Sequence, residues 1–355
     1  MHKINRTTRS LRRLTLWLLA ASPLLTACSK DPDLVVYVSL DMEFSAPLIA
    51  EFEAETGLKV RAEYDTEASK TVGLVRRIVE EAKNPRCDVF WNNEIAQTVN
   101  LAHLGHLTPY DSPVAADIPA EFRDPDRRWT GFGARARILI VNTELVPDPS
   151  EIDSMWDLLD PKWRGQACIA RPLTGTTLTH AAALYLALGN ERAEEYLGAI
   201  AKGQHLEPPV VNVASSNGQT ARLVREGVLA FGWTDTDDFA VAKATGAPVI
   251  AVYPDQKPGP GGEPPLGTLL IPNTVCIPKG APHLESAKRF VDWVLSRKME
   301  ERLAFSKSAQ IPVRPDVPRP DSVRSDFVHM QISYVALGQQ IANRTQRMQA
   351  MFLDQ

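Results

Sequence analysis

From residue 34 onward the chain alternates between short apolar runs and segments whose apolar residues recur every three or four positions. Leu34 to Ser39 is a continuous apolar run, the pattern of a strand buried on both faces. Met42 to Thr56 carries Phe44, Leu48, Ile49 and Phe52 at helical spacing and is stopped by Gly57. Leu58 to Tyr64 predicts a second strand, Ala68 to Ala82 a second helix, and Asp88 to Trp91 a third strand. Strand and helix alternating at this pitch predict an α/β lobe around a largely parallel sheet.

The same alternation continues further along. Ile138 to Asn142 is strongly apolar and is expected to cross between two lobes. Strands are predicted at Cys168 to Ala170 and Val228 to Trp233, with a helix from Thr176 to Leu188 between them. Asp255 to Gly267 is rich in Pro and Gly and reads as an exposed loop. Leu269 to Ile277 is expected to make the return crossing, followed by a helix over His283 to Ser296 and a long amphipathic helix over Ser322 to Leu353. The expected organisation is a signal at 1–27, a tether at 28–33, lobe 1 at 34–137, a hinge strand at 138–142 and lobe 2 at 143–268. The return strand and the remainder of lobe 1 take 269–320, and a C-terminal helical segment at 321–355 packs on lobe 2.

The N-terminal pattern differs from all of this. Lys3, Arg6, Arg9, Arg12 and Arg13 precede an apolar run from Leu14 to Leu25 and then Leu25-Thr26-Ala27-Cys28. This is the layout of a bacterial export signal ending in a lipobox, with Cys28 as the lipidated residue. The run is shorter than the roughly 20 residues of a membrane span. The chain is therefore expected outside the cytoplasm, lipid-anchored on the outer side of the cytoplasmic membrane or in the periplasm. Loss of 1–27 removes five basic residues and no acid, moving the net charge from −4 to −9. So acidic a chain lacks the electrostatic footprint of a nucleic-acid binder. Its length beyond Cys28 favours two lobes over one core. Cys87, Cys168 and Cys276 each sit in an apolar segment without a CxxC spacing and read as buried free thiols.

Solutes of open α/β sheets bind beyond the carboxyl ends of the strands. The first strand ends at Ser39, Asp41 and Glu43, the second at Asp65, Thr66 and Glu67, and the third at Asn92, Asn93 and Glu94. In the other lobe Thr174-Gly175-Thr176-Thr177 opens a helix and offers hydroxyls and amides to an anion. An ordinary N-cap accounts for one of these threonines rather than three. Asp235, Asp237 and Asp238 follow a strand; an EF-hand is excluded because Ala240 and Gly246 stand where its Gly and Glu belong. Arg135 and Arg137 either face the cleft or pair with a carboxylate. His103 and His106 lie three apart on a predicted helix without a third metal ligand. No G-x-S-x-G, H-E-x-x-H or P-loop is present, which speaks against the competing class, an exported hydrolase with paired carboxylates.

Several segments in order carry a resemblance: Val36-Tyr37-Val38-Ser39, Pro47 to Glu53, Thr56 to Val60, Asp88-Val89-Phe90-Trp91, Gly131 to Asn142, Pro172 to Thr177 and Gly280 to His283. Together they resemble the periplasmic ferric-iron-binding proteins, solute receptors of ABC importers. The resemblance spans the chain beyond the signal. It implies an α/β, two-lobed type II periplasmic binding protein fold, with mixed, mostly parallel sheets joined by two crossing strands. It also implies a monomer that closes on its solute and docks on membrane permease subunits, with no catalytic cofactor.

In that family adjacent tyrosines hold iron; Asp237 and Asp238 stand at their place here, and none of the seven tyrosines are adjacent. Asp41 falls at the family's His position and Asn93 or Glu94 at its Glu position, while Thr174-Gly175-Thr176 matches its anion seat. Asp235 replaces a neutral Asn beside that seat. The strand ends and the resemblance together give an expected site of Ser39, Asp41, Thr66, Asn93, Glu94, Arg137, Thr174, Gly175, Thr176, Asp235, Asp237 and Asp238. Within it, Asp41, Glu94, Asp237 and Asp238 would hold ferric iron or another hard cation as transported ligand. The alternative is an organic solute: an anion on Thr174 to Thr177 with an arginine, or an amine on the aspartates.

Overall fold

The computed structural model describes residues 31–65, 71–259 and 261–354. In chain order its elements are β1 (Leu34–Val38), α1 (Met42–Thr56), β2 (Val60–Tyr64), α2 (Val72–Glu80), β3 (Val89–Asn92), α3 (Ala96–His103), β4 (Leu107–Thr108) and β5 (Trp129–Asn142). There follow β6 (Ala167–Ala170), α4 (Gly175–Leu188), α5 (Asn190–Gly203), β7 (Asn212–Ala214), α6 (Asn217–Arg225), β8 (Phe231–Asp235), α7 (Thr236–Ala244) and β9 (Val249–Val252). The last are β10 (Leu270–Pro278), α8 (Leu284–Val294), α9 (Arg297–Phe305) and α10 (Tyr334–Phe352). The signal and Cys28 lie outside the described residues, as does Thr66. No described helix is long and apolar enough to cross a membrane.

The strands form one mixed sheet in the order β2-β1-β3-β10-β5-β8-β6-β7, with β4 beside β10 and β9 beside β5. β1 pairs in parallel with β2 and β3, and β6 with β7 and β8. β1, β3 and β6 are buried along their whole length, as their continuous apolar runs require, whereas β2 and β7 at the two ends of the sheet are only partly buried. The pivotal element is β5. Its first half, Trp129 to Ala136, runs antiparallel to β10, and from Arg137 to Val141 it runs antiparallel to β8. The strand expected at Ile138 to Asn142 is thus the second half of a longer one. β10, placed in sequence as a return crossing, pairs with β3, β4 and only the first half of β5.

Two large cores flank the sheet, one on the β1–β3 half and the other running on to β5, β6 and β8. One gathers Val36, Val38, Trp91, Phe132 and Phe290; the other gathers Tyr37, Phe90, Val99, Leu184, Leu337 and Ile341. Trp91 packs against Phe132 and Phe290 and belongs to the core. Cys87, Cys168 and Cys276 are buried free thiols.

Three expected elements are placed differently. The strand read at Val228 to Trp233 starts only at Phe231, because the Val228 and Leu229 amides donate to the Leu223 carbonyl in the turn after α6. His103 ends α3 and His106 lies in the turn before β4, so the two do not share a helix. The last helix starts at Tyr334 rather than Ser322, since residues 328–330 exchange backbone hydrogen bonds with Thr268 and cannot also coil.

That helix, α10, packs on α3 as well as on α4 and α5. Its Gly338 lies so close to α3 that an added Cβ would stand 2.3 Å from Val99 Cβ and 2.9 Å from the Ala96 carbonyl oxygen. Gly338→Ala gains about 1 kcal/mol of helix propensity, but overpacking of this depth costs about 3 kcal/mol. The expected outcome in urea unfolding is a net loss of about 2 kcal/mol; a gain in stability would show that α10 does not press on α3 this closely.

Candidate functional site

Arg135 and Arg137, two residues apart on β5, stand where that strand changes partner from β10 to β8. Residues at this spacing share a face of a strand. Both guanidiniums are almost wholly buried, and each meets a carboxylate delivered by the end of β8 or the start of α7. Arg137 Nη1 donates to Asp235 Oδ1 at 2.9 Å and Arg135 Nη1 to Asp237 Oδ2 at 3.0 Å. Arg135 also donates to the carbonyl of Asn93, tying β5 to the end of β3. A buried charge is tolerable only when paired and hydrogen-bonded, and here each pair lies across elements far apart in sequence.

The electrostatics follow from these pairs. Burial pushes the Asp235 carboxyl up, but Arg137, Arg135 and the Thr176 hydroxyl outweigh it and hold the group below the usual carboxylate range. Asp237 goes the other way: burial raises it, Arg135 opposes, and the neighbouring Asp235 and Asp41 raise it further. Arg135 is held firmly charged, because Asp237 and Asp235 outweigh its burial.

Above these pairs opens a polar cleft that is open to solvent. Asp41, Asn93 and Arg135 line it from one side, and Thr174 to Thr177, Ser215 to Gly218 and the aspartates Asp235, Asp237 and Asp238 from the other. Arg171 joins them, and Ala170 is the one apolar lining residue among those described. Three helices start at this cleft, α4 at Gly175, α6 at Asn217 and α7 at Thr236, and at the first two the amides without intrahelical partners face it. Gly175 has φ +57°, a conformation that favours glycine, and an added Cβ there would meet only open space. The side chain of Thr174 makes no cap hydrogen bond.

The expected site residues separate into groups. Asp41, Asn93, Thr174, Gly175, Thr176, Asp235, Asp237 and Asp238 do line the cleft. Ser39 does not; its hydroxyl donates to Asn92 Oδ1 at 2.7 Å and braces the ends of β1 and β3. Arg137 lies beneath the cleft under Asp235 rather than in it, and Arg135 is the arginine that lines it.

Glu94 is a correction. Its carboxylate accepts from the Ala96 and Gln97 amides at the start of α3, from Asn92 Nδ2 and from Thr179 Oγ1 on α4. Fully buried and raised by that burial, it is a helix cap that also reaches α4, outside the cleft lining. The carboxylates that converge are instead Asp235, Asp237 and Asp238, which each offer one oxygen within 4.8 Å of the others. Arg171 and Ser215 to Gly218 were missed, although Ser216-Asn217-Gly218-Gln219 has the Ser-x-x-Gln pattern of a helix start. Ser216 Oγ does accept from the Gln219 amide at 3.1 Å.

The sequence profile of the family described as bacterial extracellular solute-binding protein matches residues 47–330. The chain belongs to this family. It is a binding protein, not an enzyme. Iron uptake protein A1 of Synechocystis is 27% identical over 346 residues, covering 92% of each chain. Among solved structures, the ferric binding protein from Campylobacter jejuni is similar with a TM-score of 0.78 at 22% identity, covering 90% of this chain and 99% of that one. The binding protein AfuA from Actinobacillus pleuropneumoniae, solved with exogenous fructose-6-phosphate bound, has a TM-score of 0.75 at 24% identity, covering 90% and 98%. These structures establish the two-lobed periplasmic binding protein fold.

One titratable group of this solute-binding protein lies behind the cleft. His180 of α4 is buried edge-on against Trp233, their ring centroids 4.6 Å apart. Burial, aided by Arg137 and opposed by Asp235, lowers its pKa to about 3. Its folded value lies below its unfolded one, so the unfolded chain takes up the extra proton between about pH 6.5 and pH 3. Stability is then complete above pH 6.5 and is lost as pH falls through that window. Urea unfolding at pH 7.5 and pH 5 should show His180→Gln losing about 2 kcal/mol less than the parent; an equal loss would mean that His180 takes a proton in the folded state.

Proposed function

We propose that this chain is the extracytoplasmic receptor of an ABC importer, anchored through lipid on Cys28 after loss of residues 1–27, and acting as a monomer. One lobe comprises 34–137 and 269–320, the other 143–268, and β5 carries the chain between them. The solute touches both, stabilises the closed form by its differential affinity, and is handed to the permease subunits. Its class is a small, strongly polar organic anion bearing a phosphate or carboxylate.

The observation that carries the ligand class is the allocation of charge. Asp235 and Asp237 already have guanidinium partners, whereas the amides at the starts of α4 and α6, with Arg171, face the cleft. A cation seated on Asp237 must displace Arg135 or lie against its positive charge, which weakens any metal site built there. The virtual absence of apolar lining supports a hydrophilic solute.

A metal–anion complex is the second reading, favoured by the converging oxygens of Asp235, Asp237 and Asp238 and by the iron-uptake name of the Synechocystis relative. Such a site would hold ferric iron without tyrosinate, since aspartates stand at the tyrosine positions.

Native mass spectrometry of residues 29–355, purified from cells without chelator, distinguishes the two. The expected result is an added organic mass that Arg171→Ala reduces at least about tenfold in occupancy. An added mass equal to a metal, lost in Asp237→Ala with Asp238→Ala and retained in Arg171→Ala, would replace the organic reading by the metal one.

A further inference from the structure

We infer that Asp235 is the positioning residue of the cleft: its carboxylate clamps the starts of α4 and α6 together and so sets the spacing of the amides that face the solute. Its importance for solute capture rests on the organic-anion reading above, whereas the clamp itself does not.

The geometry is a closed hydrogen-bonded ring built from three elements. Asp235 Oδ2 accepts from Thr176 Oγ1 at 2.5 Å and from Asn217 Nδ2 at 3.0 Å. Asn217 Nδ2 also lies 2.8 Å from Thr176 Oγ1, and Asn217 Oδ1 accepts from Thr177 Oγ1 at 2.9 Å. Thr176 and Thr177 belong to the first turn of α4, Asn217 is the first residue of α6, and Asp235 precedes α7. Three helices therefore start around one carboxylate, whose charge their positive ends favour.

Two consequences follow for the cleft. The hydroxyl protons of Thr176 and Thr177 are committed to Asp235 and Asn217, so main-chain amides are the donors these turns present. Arg137 holds the other oxygen, Oδ1, which fixes the carboxylate plane. Three acceptor positions of Asp235 are thus taken by protein groups, and the residue acts through the helix starts rather than by grasping the solute.

The role of a carboxylate here is specific, because it accepts on both oxygens. In Asp235→Asn, Arg137 claims the single oxygen and the new amide faces the donors of Thr176 and Asn217. Exchanging the two groups, as Asp235→Asn with Asn217→Asp, rebuilds the pattern from the other side: position 217 then accepts from Thr176, Thr177 and the amide at 235.

The test is amide hydrogen exchange by NMR on the whole mature chain without added ligand. The probes are Leu178, which donates to the Thr174 carbonyl at 3.2 Å, and Thr220, which donates to the Ser216 carbonyl at 3.0 Å. In Asp235→Asn both should exchange about tenfold faster or more, with β1 and α1 unchanged. The exchanged pair restores the ring but leaves Arg137 on a neutral amide oxygen, so it should recover part of that protection. Thr176→Val, which keeps the shape and removes one donor, should speed Leu178 by a smaller factor and serves if Asp235→Asn does not fold. Unchanged exchange at Leu178 and Thr220, or no recovery in the exchanged pair, overturns the clamp.

Calorimetric titration with glycerol 3-phosphate and with citrate separates the two ideas. At least about tenfold weaker binding in Asp235→Asn, partly regained in the exchanged pair, upholds both. If neither probe binds the parent while exchange responds as expected, the organic-anion reading fails and the clamp stands.

Discussion

Strand β5 carries Arg135 and Arg137 into the interior at the place where its hydrogen-bonding partner changes from β10 to β8. A buried guanidinium without a counter-ion is prohibitively costly, and breaking such a pair by removing one partner typically costs about 3–5 kcal/mol. The end of β8 and the first turn of α7 must therefore present Asp235 and Asp237 at this spot. The pairing fixes α7 relative to β5. Through Asp235 it also fixes the starts of α4 and α6. The cleft is thus the polar rim of an interior ion-pair network.

That network decides what the rim offers. Carboxylates alone would make a cation site, and helix starts alone an anion site. Here the two are interleaved, and the arginines neutralise the aspartates nearest the helix starts. Trp91 and Trp233 are turned into the cores, and among the described residues no aromatic side chain lines the cleft to hold an apolar or quaternary-ammonium solute. Such a lining selects by hydrogen-bond pattern and charge more than by hydrophobic fit.

The local pattern made much of this readable. The helix over Met42–Thr56 follows from apolar residues at helical spacing and from Gly57, which ends it with φ +71°. Thr174 to Thr177 and Asp235 to Asp238 were legible because strand ends in α/β sheets are where solutes bind. Ser216 to Gln219 carried a readable helix-start pattern, yet nothing local says that this helix points into the same cleft as α4. Glu94 shows the reverse problem. A carboxylate just past a strand end serves equally as ligand or as helix cap, and its choice depended on the Ala96 and Gln97 amides and on Thr179, 85 residues away in sequence.

By itself the sequence determined the α/β class, the strand and helix alternation, and the absence of a tyrosine pair, because apolar periodicity and residue identity are local properties. Which carboxylates meet, which arginine lines the cleft and which lies beneath it, and which helix starts share one acceptor were decided by tertiary structure. The reason is that a buried charge is defined by what surrounds it in space. Asp235 finds Arg137 and Thr176 98 and 59 residues away along the chain, at separations where no local pattern records the pairing.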